Sequence, residues 1–283
     1  MQTETKSQSV FRDGIFKDKV ILVSGGGTGL GKAAAEQFAR LGASLVICGR
    51  DPERMEVAKS ELEGLGAKVL TRSMTIRDPD AVASLMDEAW NEFGRIDILV
   101  NNAGGQFASP AIDIKPKGWL AVVDTNLNGT WYMMQAAAQR WKQHSQPGNI
   151  INVVAVIWRG LPQVSHTCAA RAGVVYLSKS VAVEWAEYGI RVNCLAPGTI
   201  ETDAFNYYNE QGRASFWQAN PMKHAGEIPD ISEGITYLAS DASKFITGEV
   251  LTIDGGQQLW GDPWFAGRPK YYELDYEVSR RVE

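Results

Sequence analysis

The sequence predicts an α/β fold, a parallel sheet covered by helices on both faces. Three observations lead there. Short apolar runs alternate with helical patterns along most of the chain. The first such pair is joined by a glycine-rich turn, Ser24-Gly25-Gly26-Gly27-Thr28-Gly29-Leu30-Gly31. No composition break divides the 283 residues, so one domain with a large core is expected.

Residues 1–18 read as a polar lead-in anchored by Val10-Phe11 and Ile15-Phe16. Residues 19–23 form an apolar strand, and residues 32–41 a helix stopped by Gly42. A second strand covers 44–48. Asp51-Pro52 then places a cap and a proline at the start of a helix that runs to Gly64. Strand 67–72 is followed by the same device, Asp78-Pro79, and a helix to Phe93-Gly94. Strand 96–100 ends in Asn101-Asn102-Ala103-Gly104. A helical region over 116–142 is broken near 126–129. Strand 149–156, helix 167–188 and strand 190–195 follow, the last closed by Ala196-Pro197-Gly198. A short helix over 229–239 precedes strand 250–253 and Asp254-Gly255-Gly256. The main domain thus spans 19–256. Within it, residues 201–226 lack apolar periodicity and read as a substrate lid. Residues 257–283 carry Trp260, Trp264, Phe265, Tyr271, Tyr272 and Tyr276, an aromatic tail expected to dock on its own or a neighbouring subunit.

Composition narrows the function classes. A net charge of −5 argues against a nucleic-acid surface, which needs clustered Lys and Arg. The three cysteines, Cys48, Cys168 and Cys194, show neither CxxC nor metal spacing, so no metal site is expected and a reducing compartment is. There is no apolar run of membrane-spanning length, no signal-peptide core, and no peroxisomal address in the closing Arg281-Val282-Glu283. The expected location is cytoplasmic, without membrane or nucleic-acid partners.

Strand, glycine turn and helix form an arrangement that binds a dinucleotide pyrophosphate. Glycines let the backbone N–H groups approach phosphate, and the helix N-terminus adds positive partial charge. Surface loops also collect glycine. The flanking strand and helix, at the start of a chain that continues the same alternation, favour the cofactor site.

Four ordered motifs then resemble the short-chain dehydrogenase/reductase family over about residues 15–256. They are the Ser24–Gly31 turn, Asn101-Asn102-Ala103-Gly104, Asn126-Leu127-Asn128-Gly129, and Pro197-Gly198-Thr199-Ile200 with Thr202. The resemblance implies a single-domain Rossmann-like three-layer αβα sandwich with a seven-stranded parallel sheet, assembled as a homotetramer or homodimer. It also implies cofactor contacts at Gly25, Gly27, Thr28, Gly29, Leu30 and Gly31, at Asn102, Ala103 and Gly104, and at Pro197, Gly198, Ile200 and Thr202. Within the family, residues 25–32, 101–107 and 169–174 resemble a branch holding trans-2-enoyl-CoA reductase, 2,4-dienoyl-CoA reductase and bacterial citronellol/citronellal dehydrogenases.

The second strand ends in Gly49-Arg50, where an NAD-selective site carries an acidic residue. A guanidinium can bind a 2′-phosphate, so NADP(H) is favoured over NAD(H), although Asp51 is adjacent and Arg50 also reads as a solvated residue. Thr75 stands where the family places an adenine-binding Asp, beside Ile76, and its hydroxyl can still accept a hydrogen bond.

The family's Ser-Tyr-Lys set is missing. No tyrosine has a lysine four residues later, and the register on residues 169–174 puts Thr167 and Arg171 at those two places. Residues 153–156, where the serine is expected, hold no hydroxyl. An alcohol hydroxyl is a very weak acid and a guanidinium does not relay protons, so tyrosine-type ketone reduction is disfavoured. Hydride addition to an α,β-unsaturated thioester fits better, because the enolate oxygen needs donors or a cation more than an acid. The resemblance agrees, that branch also having a small hydroxyl residue there. However, Ile157 and Trp158 stand where dienoyl-CoA reductases carry a tyrosine.

The site candidates are Asn126, His166, Thr167 and Arg171. His166 reads as a proton donor to substrate carbon or as a helix-start residue. Thr167 reads as a substrate donor or a cap, Arg171 as a cofactor contact or an ion-pair partner, and Asn126 as part of a proton path or a helix-break residue. Trp158 reads as a pocket wall. Tyr207 and Tyr208 in the lid are further candidates, and Arg213 and Lys223 are the local cations for a CoA phosphate. The leading reading is an NADP(H)-dependent enoyl-CoA-type reductase acting on a small molecule, with an acyl-CoA as the candidate. A dehydrogenase of an apolar or terpenoid alcohol or aldehyde, and a non-catalytic nucleotide-binding protein, are the alternatives.

Overall fold

The computed structural model describes residues 10–202 and 220–259. Seven strands form one all-parallel sheet: β1 (Val20–Ser24), β2 (Ser44–Gly49), β3 (Val69–Ser73), β4 (Ile98–Asn101), β5 (Gly148–Val153), β6 (Ile190–Pro197) and β7 (Val250–Ile253). Their order is β3-β2-β1-β4-β5-β6-β7. The helices are α1 (Gly29–Arg40), α2 (Pro52–Gly64), α3 (Pro79–Phe93), α4 (Pro116–Val123), α5 (Thr130–Gln143), α6 (Ser165–Glu184) and α7 (Ile228–Ala239).

Alternation along β1 sends its side chains into two cores. Ile21 and Val23 pack with Phe38, Leu62, Ile231 and Leu238, from α1, α2 and α7. Val20 and Leu22 pack with Leu85, Met134, Trp141 and Val181, from α3, α5 and α6. Both faces being covered, the strands read as continuous apolar runs. The predicted caps form: Asp51 accepts from the Glu53 and Arg54 amides, and Asp78 from those of Asp80 and Ala81.

Three boundaries differ from expectation. β5 ends at Val153, after which only Val154 N still donates to Leu195 O, at 2.8 Å. α6 begins at Ser165 and stops at Glu184, where Gly189 (φ +70°) closes a short 3-10 turn over Ala186–Tyr188. The break in the long helix is a wide π-turn at Asp124–Gly129 rather than an interruption.

β1 pairs with β2 through Ser24↔Cys48 and with β4 through Ser24↔Asn101. The crossovers from β1 and from β4 leave in opposite directions, so their carboxyl ends part and open a crevice. The stem of the 201–226 segment is pinned, since Glu201 N donates to Gly226 O and Gly226 N to Thr199 O. Tyr207, Tyr208 and Arg213, and the tail aromatics from Trp260 onward, lie outside the described residues. No helix among the described residues is long and apolar enough to cross a membrane.

Candidate active site

The crevice holds a cleft of about 780 Å³. Its floor is the turn after β1. Gly25 has φ +68°, and a Cβ there would lie 2.9 Å from Asn102 Nδ2. A Cβ at Gly31, one turn into α1, would collide with Gly25 O and the Asn102 amide. The turn therefore packs on the loop after β4 with no room for side chains. Asn102 Nδ2 locks the two together by donating to Gly25 O at 3.2 Å. Ser24 Oγ accepts from Asn102 N and Ala103 N at 3.2 and 3.1 Å. Ser24 entered the sequence reading only as the first residue of the glycine-rich turn, and its acceptor role was not read there, because a serine ending a buried strand carries no pattern of its own.

Thr28 precedes α1 without a side-chain cap, and no acidic residue occupies its first turn. The free N–H groups of that turn have the chemistry of an anion cradle, so the residues present fit a dinucleotide pyrophosphate. Gly25, Gly27 and Thr28 line the cleft, as do Arg50, Thr75 and Ile76 on one side and Asn102, Ala103 and Gly104 on the other. Gly29, Leu30 and Thr202 line an adjoining recess. Pro197 ends β6, and Gly198 and Ile200 follow it. Gly198 N donates to Ile253 O, a Cβ on Gly198 would meet Asp254, and Ile200 bridges to Gly226.

Two further arginines, Arg54 and Arg77, line the cleft beside Arg50. Asp51, whose proximity weighed against Arg50, caps α2 and pairs with Arg54 at 3.3 Å. Among the described residues no carboxylate pairs with Arg50. Thr75 Oγ1 accepts from Arg77 Nε at 3.4 Å. The two extra arginines follow the second and third strands, and that placement was the signal available for them.

Asn126, His166, Thr167 and Arg171 are all buried against the loop after β4 or the start of α6. The π-turn aims Asn126 at Gly105: Oδ1 accepts from Gly105 N and Nδ2 donates to Gly105 O, both at 2.9 Å. This two-point clamp uses the carboxamide on main chain. Arg171 lies behind Gly104, whose missing Cβ is the space taken by the guanidinium and by Asn126 Oδ1.

Arg171 is 7% exposed, has no carboxylate partner among the described residues, and leaves Nη1 without a hydrogen bond. Burial pushes its pKa down to about 10, opposed by the nearby Cys194, so it stays charged at neutral pH. Burial pushes the Cys194 thiol up to about 11, against Ser178 and Arg171. Behind the guanidinium runs a buried polar chain: Asn101 Nδ2 donates to Asn152 Oδ1, Asn152 Nδ2 to Ser178 Oγ, and Cys194 Sγ to Ser178 Oγ.

Thr167 sits four residues before Arg171, on the same helix face. His166 Nδ1 accepts from Thr167 N at 2.8 Å, and Nε2 has no partner among the described residues. Burial lowers the imidazole pKa, while the main-chain groups of Val164 and Phe107 pull the other way. Trp158 is half exposed and lines neither the cleft nor the recess. Among the described residues no cluster of three or more His, Cys, Asp or Glu could hold a metal.

Comparison with known proteins matches a family model described as enoyl-(acyl carrier protein) reductase over residues 25–258. The chain is 38% identical over 254 residues to a Bacillus subtilis protein named "Probable 2,4-dienoyl-CoA reductase [(2E)-enoyl-CoA-producing]", covering 88% of this chain and 99% of the relative. A short chain dehydrogenase structure from Bacillus anthracis matches with TM-score 0.82 and 41% identity, over 89% of this chain and all of that one. A citronellol catabolism dehydrogenase from Pseudomonas aeruginosa matches with TM-score 0.79 and 35% identity, over 88% of this chain and 99% of that one.

Proposed function

The chain belongs to the short-chain dehydrogenase/reductase family, oxidoreductases that bind a nicotinamide cofactor, and from that premise we propose that it reduces the conjugated double bond of an enoyl-CoA-type thioester with NADPH. The observation that carries this reading is the buried guanidinium of Arg171, set one turn from Thr167 with no carboxylate among the described residues to neutralise it. Among the described residues such a site holds a permanent cation and the Thr167 hydroxyl but no phenol–amine pair. It suits charge developing on a thioester oxygen better than protonation of an alkoxide.

A nicotinamide supplies hydride when bound. The protein's part is binding, orientation and charge. The turn residues Gly25–Gly31 and the amides of α1 would hold the pyrophosphate, with Asn102, Ala103 and Gly104 shaping the opposite wall. Arg50, supported by Arg54 and Arg77, would take a 2′-phosphate, which favours NADP(H) over NAD(H). Thr75 and Ile76 would flank adenine. Arg171 would hold ribose hydroxyls and place its charge near the reacting end. Asn126 fixes Gly105 and with it that wall. Thr167 would donate to the substrate. Residues 201–226, pinned at their stem, would cover the cleft as the lid of a single 19–256 domain. Trp119 and Leu120 on α4, with Tyr176 and Val183 on α6, leave apolar surface exposed, which supports a homotetramer or homodimer.

The test follows NADPH oxidation with trans-2-enoyl-CoA, 2,4-dienoyl-CoA and citronellal in parallel. Turnover on a thioester, lost in Arg171→Ala, is the expected result. Activity on the free aldehyde alone would select the alcohol or aldehyde dehydrogenase reading, which the Pseudomonas relative favours. NADPH binding without turnover on any of the three would move the weight to a non-catalytic nucleotide-binding role.

A further inference from the structure

His166 is enclosed by an aromatic wall that the reading above does not use. The Phe107 ring meets the imidazole edge to face, with centroids 4.5 Å apart and planes at 70°. Phe107 stands on the loop after β4, lines the large cleft and is 42% exposed. Its other contact is α4: a Cβ on Gly118 would come within 2.8 Å of the ring. The ring is thus seated on a helix position that only glycine leaves open.

The loop that carries Phe107 is tied to the loop before α6. Ser109 N donates to Gln163 O at 2.8 Å, and Gln163 adopts φ +67° to present that carbonyl. Phe107 and His166 are therefore held in register from both sides. On the imidazole, Nδ1 is an acceptor for Thr167 N, which assigns the proton of the neutral ring to Nε2. Thr167 Oγ1 also stands 3.4 Å from Nδ1, and the main-chain groups of Val164 and Phe107 favour the charged ring, so it is burial that holds the imidazole neutral. His166 is fully buried, and no charged side chain among the described residues acts on it.

We propose that Phe107 is a positioning residue: seated on Gly118, its ring walls His166 off from water and keeps the imidazole a neutral Nε2–H donor rather than an acid. This deepens the thioester reading. A neutral donor stabilises an enolate oxygen without giving up its proton.

The chain has three histidines, so ¹⁵N-histidine labelling of the whole protein gives a readable spectrum. His166→Gln assigns the signal. The expected result is a His166 ring in the Nε2–H form that stays neutral through the ordinary histidine transition near ~6.5. Phe107→Ala should admit water and shift that transition upward, and Phe107→Leu, which keeps an apolar wall, should restore it. Gly118→Ala supplies an independent displacement of the ring and should shift the transition in the same direction. The idea is overturned if wild-type His166 titrates at the ordinary value, or if Phe107→Ala and Gly118→Ala, both folded by circular dichroism, leave it unchanged. The spectrum needs no substrate, so failure here is separable from failure to reduce thioesters.

Discussion

A guanidinium buried beside Cys194 keeps its proton where a buried ammonium would lose it. Burial brings Arg171 down only to about 10, so its charge is complete at pH 7 and still dominant at pH 9. Activity should therefore show no falling limb from this group between pH 7 and 9. In Arg171→Lys the amine enters the same dry space with a lower pKa. Its charge is present at low pH and lost as pH rises, so kcat should acquire a descending limb absent from the wild type. Arg171→Ala removes the charge at every pH and should lower kcat/KM by roughly 10²-fold or more, the scale of a deleted oxyanion-stabilising donor. A wild-type profile that itself falls between pH 7 and 9 would contradict the assignment. Folding gives a second pH dependence. His166 has a depressed pKa in the native state, so between its folded and unfolded values the unfolded chain binds more protons. Its contribution to stability is present above the unfolded value near ~6.5 and lost as pH falls below it. Urea midpoints should drop less between pH 7.5 and 5.5 in His166→Gln than in the wild type.

At the level of elements, the π-turn at Asp124–Gly129 explains why the helical pattern over 116–142 had to break. One wide turn aims Asn126 at Gly105 and sets Leu127 against Gly173 of α6, where a Cβ would stand 3.0 Å away. Asn126→Ala strips partners from Gly105 N–H and C=O in a part-buried loop. The expected cost is about 1–3 kcal/mol, together with weaker nucleotide binding, measured by urea denaturation and calorimetric titration. Asn126→Asp keeps the acceptor for Gly105 N but opposes carboxylate to carbonyl, so it should recover little. β5 offers a control far from the cleft. A Cβ on Gly148 would run into the Trp141 indole, whose Nε1 donates to Ile96 O. Gly148→Ala should cost ~1–3 kcal/mol by overpacking and leave nucleotide affinity unchanged. These contacts mark the limit of what could be read from the chain. Strand and helix identities were legible because apolar alternation and Asp-Pro caps are local signals. Thr167 and Arg171 were placed by the resemblance of residues 169–174 to the family pattern, and the helix sets them one turn apart. The Gly105 clamp, the Ser24 acceptor and the Phe107–His166 contact were not legible. Each joins residues from 21 to 79 positions apart, and such pairings are decided by packing alone.

For the whole molecule, the cleft exists because two crossovers diverge from adjacent strands, and its charge is set by what those strands lead into. β2 leads into Arg50 and the Asp51 cap of α2, and β3 leads into Thr75 and Arg77. Asp51 also lines the cleft but caps α2 and pairs with Arg54, so a chain of net charge −5 presents Arg50 and Arg77 at the rim of this crevice without a carboxylate partner among the described residues. Such a rim should read a 2′-phosphate through its charge, which makes cofactor choice measurable as stability. A ligand that binds only the native state at a hundred times its dissociation constant adds ~2.7 kcal/mol to unfolding. NADPH at that concentration should raise the thermal midpoint, and NADH at the same concentration should raise it less. Salt should narrow the gap, because exposed charges are screened over about 10 Å at 0.1 M. Arg50→Ala should narrow it further by weakening NADPH while sparing NADH, and Arg54→Ala should act less, since its guanidinium is already paired with Asp51. Equal midpoint shifts for the two nucleotides in the wild type would show that the rim does not discriminate. Equal losses in Arg50→Ala would place that side chain on a part of the cofactor that both share.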